Sequence, residues 1–312
     1  ARRSGSRRSV VAILALLASV LVVGQAPSAS ATQASGDDVA AWSNGWSWTY
    51  ATTFHYVGSD GTDATINENV TYAVAGSTTF NGQDAYHLNI TGNSTGCSGH
   101  TTAAGGVDLD TFAGSGSGSR IVRKSDLALL QENQHQDLKA KAHKVIAIDV
   151  TASLDLHLTP SPGWRTRDFP LNAGDSWQNN ESLAYTGGFV YDSSLASGSS
   201  PFEGAFDFDG PSTVANQTVS VPAGSLSTKA ISAQANTTNG TAVDNIWWSA
   251  DRKNDAKEHL QLPLDGATLT IDRNLSSSST PAPSTSLTAT VTPSLTCAGG
   301  QVTVSGKLGN AG

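Results

Sequence analysis

From Ile146 to Leu158 the chain alternates without a break. Ile146, Ile148, Val150, Ala152, Leu154, Leu156 and Leu158 fall on one parity, and Ala147, Asp149, Thr151, Ser153, Asp155 and His157 on the other. A strand puts each set on its own face, whereas a helix would scatter both round its circumference. The same period of two recurs upstream. Trp46, Trp48, Tyr50, Phe54 and Tyr56 share a parity, with Ser47, Thr49 and His55 between them, and Ile66, Val70, Tyr72 and Val74 repeat the pattern. Tyr86, Leu88 and Ile90 follow the hairpin signal Asn81-Gly82. Residues 125–143 fit either a helix lined by Leu127, Leu130 and Leu138 or a strand begun by Leu127 and Leu129; a strand followed by a turn is preferred. No long amphipathic helix stands out elsewhere. The expected class is therefore all-β with at most a short helix.

The N-terminus reads as an export signal. Arg2, Arg3, Arg7 and Arg8 form a basic region, Val10 to Val23 an apolar run, and Ala29-Ser30-Ala31 a small-x-small cleavage site. The run is shorter than the roughly 20 residues of a membrane span, and Gly24, Gln25 and Pro27 interrupt it. The protein is expected to be secreted or extracellular, with wall attachment left open and no integral span after cleavage. Removing the four Arg of residues 1–31 takes the formal net charge from −8 to −12. That disfavours nucleic acid, which needs basic patches. Cys97 and Cys297 stand 200 residues apart, and the pairing partner of each stays open.

At 312 residues, with about 100–200 per domain, two β-domains are expected after the signal: residues 32–164 and 165–275. Residues 276–286 (SSSSTPAPSTS) read as a Ser/Pro linker. Two stretches open alike: Asn44-Gly45-Trp46-Ser47-Trp48 after Trp42, and Asn172-Ala173-Gly174-Asp175-Ser176-Trp177 after Phe169. A turn then leads to a strand in each half, at Phe80-Asn81-Gly82 and at Val221-Pro222-Ala223-Gly224, followed by Arg120-Ile121-Val122-Arg123 and Asn245-Ile246-Trp247-Trp248. This order suggests an internal duplication.

Three segments carry a resemblance: Phe169-Pro170-Leu171-Asn172-Ala173-Gly174-Asp175-Ser176-Trp177, Val219-Ser220-Val221-Pro222-Ala223-Gly224-Ser225-Leu226, and Asn245-Ile246-Trp247-Trp248-Ser249. Together they resemble the pattern of secreted proteins related to the DUF3108 and LolA/LppX-like families. The resemblance covers residues 165–275 and, more weakly, 42–160. It implies an open antiparallel half-barrel, a curved sheet with an apolar inner face, here duplicated. The lipoprotein cysteine and an obvious plug helix of such proteins are missing. Residues 287–310 (LTATVTPSLTCAGGQVTVSGKLGN) resemble the first two strands of a bacterial immunoglobulin-like repeat. About seven strands make such a sandwich, so residues 287–312 are expected to be a truncated start within a longer modular protein.

Catalytic constellations are sparse. Glu132, His135 and His143 lack the spacing of H-E-x-x-H and read as solvated surface. Asp60-Gly61-Thr62-Asp63 and Asp207-Phe208-Asp209-Gly210 hold only fragments of a calcium loop, and turn chemistry accounts for them. Gly114-Ser115-Gly116-Ser117-Gly118 fits the letters of a nucleophile elbow but reads as a flexible Gly/Ser loop. No catalytic, metal or cofactor residue is assigned. The candidate ligand-contact aromatics are Trp46, Trp48, Trp247 and Trp248; core packing is the competing role for each.

Three functions follow in order. The first is a non-enzymatic secreted or surface binding protein whose partner is a hydrophobic ligand, a glycan or a cell-wall component. The second is an extracytoplasmic carrier of lipid or another hydrophobic ligand. The third is the accessory region of a secreted hydrolase whose catalytic domain lies elsewhere.

Overall fold

A computed structural model describes residues 38–101, 107–143, 147–194, 197–237, 239–264 and 266–279. The signal-like segment, most of the Ser/Pro stretch, Cys297 and the immunoglobulin-like segment lie outside the described residues. Among the described residues every regular element is a strand. In chain order they are β1 (Ser47–Gly58), β2 (Asp63–Phe80), β3 (Gln83–Thr101), β4 (Val107–Arg123), β5 (Leu129–His143), β6 (Ala147–Ser161), β7 (Ser176–Ser193), β8 (Ser197–Val221), β9 (Gly224–Thr237), β10 (Gly240–Ser249), β11 (Asn254–Leu264) and β12 (Ala267–Ser279).

Each strand pairs antiparallel with the next, and β12 returns to β1, from Ser47 opposite Ser279 to Gly58 opposite Ala267. The curved sheet therefore closes into a barrel instead of staying open. It continues through the β6–β7 pair, from Val150 opposite Ser193 to Ser161 opposite Ser182. Pairing β1 with β12 removes both free edges, which would otherwise carry unpaired backbone groups. The first residues of the Ser-rich stretch belong to this seam: Ser277, Ser278 and Ser279 sit opposite Thr49, Trp48 and Ser47.

The pleat sorts the side chains as the alternation requires. On β6, Ala152, Leu154, Leu156 and Leu158 are buried, and Thr151, Asp155 and Thr159 are exposed. The outer surface carries cross-strand pairs such as His135–Asp155 and His259–Asp272, both at 2.8 Å. A lipid-embedded barrel has the inverse arrangement, an apolar outer band. Within residues 125–143 a strand does form, β5 at Leu129–His143, but the turn precedes it instead of following it, with Leu127 at a φ of +60° outside the strand. Gly114–Gly118 is not a loop. It lies within β4, paired to both β3 and β5, and the three glycines face inward. Asp207 and Asp209 likewise sit in the middle of β8 with exposed side chains, not in a loop.

The two halves follow one plan. Before β1, Gly45 N donates to Val74 O (2.8 Å), Trp46 N to Ser43 O (3.1 Å) and Val74 N to Trp46 O (2.8 Å). Before β7, Gly174 N donates to Val214 O (2.8 Å), Asp175 N to Asn172 O (3.2 Å) and Val214 N to Asp175 O (3.0 Å). Gly45 and Gly174 both need the left-handed region, with φ of +84° and +96°. Further on, β4–β5 pairs Arg120 with Glu132 and β10–β11 pairs Ile246 with Glu258, while Leu127 and Lys253 hold the positive φ of the matching turns.

An up-and-down barrel gathers alternate connections at each end. At one end, residues 38–46 and the β6–β7 connection fold over the opening. Ala40, Trp42, Trp164, Arg167 and Leu171 are buried there. Trp42 donates its backbone N–H to Tyr86 Oη (2.9 Å) and its Nε1 to Lys253 O (2.8 Å), tying the lid to β3 and to the β10–β11 turn. At the other end β3, β4, β7 and β8 project as strands of 19, 17, 18 and 25 residues. β10 and β11, of 10 and 11 residues, stop short, so the rim is tall on one side.

Candidate functional site

The interior holds a charged belt below the sealed end and an aromatic wall towards the open end. Neither received a site role from the sequence, and Glu132, read there as solvated surface, is buried at 0% exposure within the belt because its parity on β5 faces inward.

The belt begins with strand pairing. Arg120 and Glu132 are direct cross-strand neighbours on β4 and β5, as are Glu258 and Arg273 on β11 and β12. Their inward parity brings them into contact: Arg120 Nε donates to Glu132, and Arg273 Nη1 to Glu258 Oε2 at 2.8 Å. Gln134, one inward position along β5, donates to Glu132 as well. Arg167 enters from the β6–β7 connection, forms an ion pair with Asp255 and lies 5.0 Å over the Trp248 ring. Tyr50 donates its hydroxyl to Asp255 O at 3.0 Å.

Burial displaces the acids of the belt. It pushes Asp244 well above the usual carboxylate range, reinforced by the charges of Glu258 and Asp255. Glu258 is also raised by burial, with Arg273 opposing. Glu68 on β2 is pushed up to about 7 by burial alone, and its Oε2 has no partner among the described residues. Glu181 on β7 reaches about 7 through burial, against the pull of Arg165. Guanidinium and carboxylate pairs of this kind are costly to bury, and breaking one side alone is worse than never having the pair.

The aromatic wall is built by β7 and β8 and runs from Phe206 and Phe208, which meet Trp164 of the lid at 5.9 and 5.5 Å, outward to Tyr191 and Phe202. Tyr185, Phe189 and Tyr191 alternate on β7, and Phe202, Phe206 and Phe208 on β8. Phe189 and Phe208 are buried, whereas Tyr185, Tyr191, Phe202 and Phe206 are only half-buried. Glycines explain their posture. A Cβ at Gly187 would collide with Phe202, one at Gly204 with Tyr185, and one at Gly198 would lie 2.9 Å from Tyr191. The rings therefore lie down on the sheet instead of standing into the lumen. Phe189 stacks on Tyr191 at 6.0 Å and 21°, and Tyr185 meets Phe202 at 6.5 Å. Along β3 and β4 the inward positions at the same depth include Gly92, Gly114 and Gly116, which fill little space. Both devices reduce the side-chain bulk that enters the open end.

The four tryptophans of the sequence analysis fall into two groups. Trp48 and Trp248 are buried at 0% and 1% exposure. Trp48 meets Trp42 at 5.0 Å and donates Nε1 to Arg252 O at 2.8 Å; Trp248 meets Phe169 at 5.2 Å. Both belong to the packing of the sealed end. Trp46 and Trp247 are half-buried. Trp46 meets Trp48 edge-on at 6.3 Å, and Trp247 donates Nε1 to Gln217 (2.7 Å) under the Lys257 ammonium, 5.1 Å from its ring. The four do not form one surface.

The missed residues did leave signals. Arg120, Asp244, Glu258 and Arg273 sit in phase with apolar neighbours, Arg273 between Ile271 and Leu275 for example. Tyr185, Phe189 and Tyr191 share one parity, as do Phe202, Phe206 and Phe208. Among the described residues no three His, Cys, Asp or Glu side chains are grouped as a metal site. What fold and interior define is a closed antiparallel barrel with a sealed, charged lower half and an aromatic-lined upper half. No protein-family model and no curated protein matches the chain.

Proposed function

We propose that this chain is exported and acts as a binding module, not a catalyst, and that it receives an apolar ligand at the open end of the barrel. The observation that carries the reading is the row of half-buried inward aromatics, Tyr185, Tyr191, Phe202 and Phe206. Each ring offers a large apolar surface. Core positions deeper in the barrel, such as Leu154 and Ile271 at 1% exposure, are covered. The polar outer face and basic-then-apolar N-terminus suit a protein working outside the cytoplasm. The architecture is compatible with a LolA-like barrel, whose carrier role supports the same reading, although closure here involves all twelve strands.

The test is to express the chain and analyse it by native mass spectrometry and solvent extraction. A co-purifying apolar molecule, or saturable uptake of one added to the emptied protein, is expected. Protein that is empty on isolation and takes up no fatty acid, phospholipid or polyprenol from vesicles contradicts the reading.

A further inference from the structure

A cavity of about 40 Å³ lies within the charged belt, lined among others by Tyr72, Arg120, Arg167, Asp255, Glu258 and Arg273. We propose that it binds one small monovalent anion of halide size. The site does not depend on what the open end carries.

The argument is an imbalance between donors and acceptors. Arg167, Arg273 and Tyr72 are buried at 1%, 5% and 3% exposure. Arg167 Nη1, Arg273 Nε and Nη2, Arg120 Nη2 and the Tyr72 hydroxyl are buried without a hydrogen-bond partner among the described residues. Lining acceptors are already engaged: Asp255 by Arg167, and Glu258 by Arg273. Of the lining side chains only Thr166 and Tyr72 carry unpartnered hydroxyls that can also accept, fewer than the unpaired guanidinium N–H groups that face them. Buried donors as a rule find acceptors. A water molecule accepts, but it brings two donors of its own into a site already rich in them. A halide only accepts.

Volume and charge agree. The cavity holds several times the roughly 10–15 Å³ that one water requires, and it is too small for a sugar or a fatty-acid chain. Three guanidiniums, of Arg120, Arg167 and Arg273, face Glu132, Asp255 and Glu258. Each pair leaves guanidinium N–H groups unspent, on Arg120 Nη2, Arg167 Nη1 and Arg273 Nε and Nη2. The remaining walls, Leu88, Val122, Leu129 and Ile246, keep the dielectric low, which strengthens a charge-assisted hydrogen bond.

Thermal unfolding of the whole chain in sodium bromide is compared with sodium gluconate at equal ionic strength. Gluconate is too large for the cavity and serves as the screening control. The unfolding midpoint should rise with bromide and saturate, as ligand linkage requires. Tyr72→Phe keeps the ring and removes one donor; bromide affinity should fall about 3–10-fold while the fold survives. A bromide-soaked crystal should show an anomalous peak within hydrogen-bond distance of Arg167 and Arg273. Equal midpoints in the two salts, a full bromide effect in Tyr72→Phe, or a cavity without that peak would each overturn the proposal.

Discussion

The two ends of the barrel use aromatic side chains in opposite ways. At the sealed end Trp42, Trp48 and Trp248 are buried, and two of the three indole nitrogens donate to turn carbonyls. Towards the open end Tyr185, Tyr191 and Phe202 lie flat on glycines, and with Phe206 they keep part of their surface uncovered. The same residue class thus supplies cohesion below and free apolar surface above. The difference comes from what stands opposite each ring: a lid and paired turns in one case, Gly187, Gly198 and Gly204 in the other. Between the ends lies the charged belt, where side chains that would be soluble outside are locked in pairs.

If this division is right, the largest losses of stability come from the sealed end and the belt. Trp48→Ala should cost about 3–5 kcal/mol, as deletion of a buried aromatic does, whereas Phe202→Ala should cost about 1 kcal/mol. Chemical denaturation of the two variants measures the contrast directly, and equal costs would erase it. Arg273→Met alone should cost on the order of 3–5 kcal/mol, because it strands Glu258 in the interior. The double variant Arg273→Met/Glu258→Leu should recover most of that loss, and a double-mutant cycle by urea unfolding reads the coupling.

A smaller effect concerns pH. Glu68 has a folded pKa raised to about 7 from 4.5. A raised acid binds more protons folded than unfolded, so its contribution is fully present below the unfolded pKa and is lost as pH rises through about 7. The change is on the order of 3 kcal/mol between pH 4 and 8. Glu68→Gln should remove it, so the variant gains on the wild type as pH rises; a constant difference across that range would show that Glu68 is not buried in charged form. The smallest effect is at the wall. Gly204→Ala forces the Tyr185 ring off the sheet and should cost about 1–2 kcal/mol, while making the open end shallower for an apolar dye.

The strands were largely legible because half-burial imposes a period of two, and β6 shows it without interruption. Closure was not legible, since alternation says which face is buried and nothing about which strands pair. Gly114–Gly118 misled for a related reason. Gly and Ser carry no apolar signal, yet β3 and β5 supply pairing on both sides and the inward glycines spare the lumen. The matched openings at Asn44 and Asn172 form the same hydrogen-bonded turn, because each needs a left-handed glycine. For the site, tryptophan drew attention that parity would have redirected. Trp48 and Trp248 face the packed interior, and the inward charges Arg120, Glu258 and Arg273 received no site assignment although each stands in phase with apolar neighbours.

The most direct measurement is a titration with the uncharged dye N-phenyl-1-naphthylamine of the wild type, Phe202→Ser and Trp247→Ala. Saturable fluorescence in the wild type and in Trp247→Ala, with loss in Phe202→Ser, is the result this division of the barrel predicts. No uptake by the wild type, or uptake that survives in Phe202→Ser and is lost in Trp247→Ala, would contradict it and place the binding surface on the tryptophans instead.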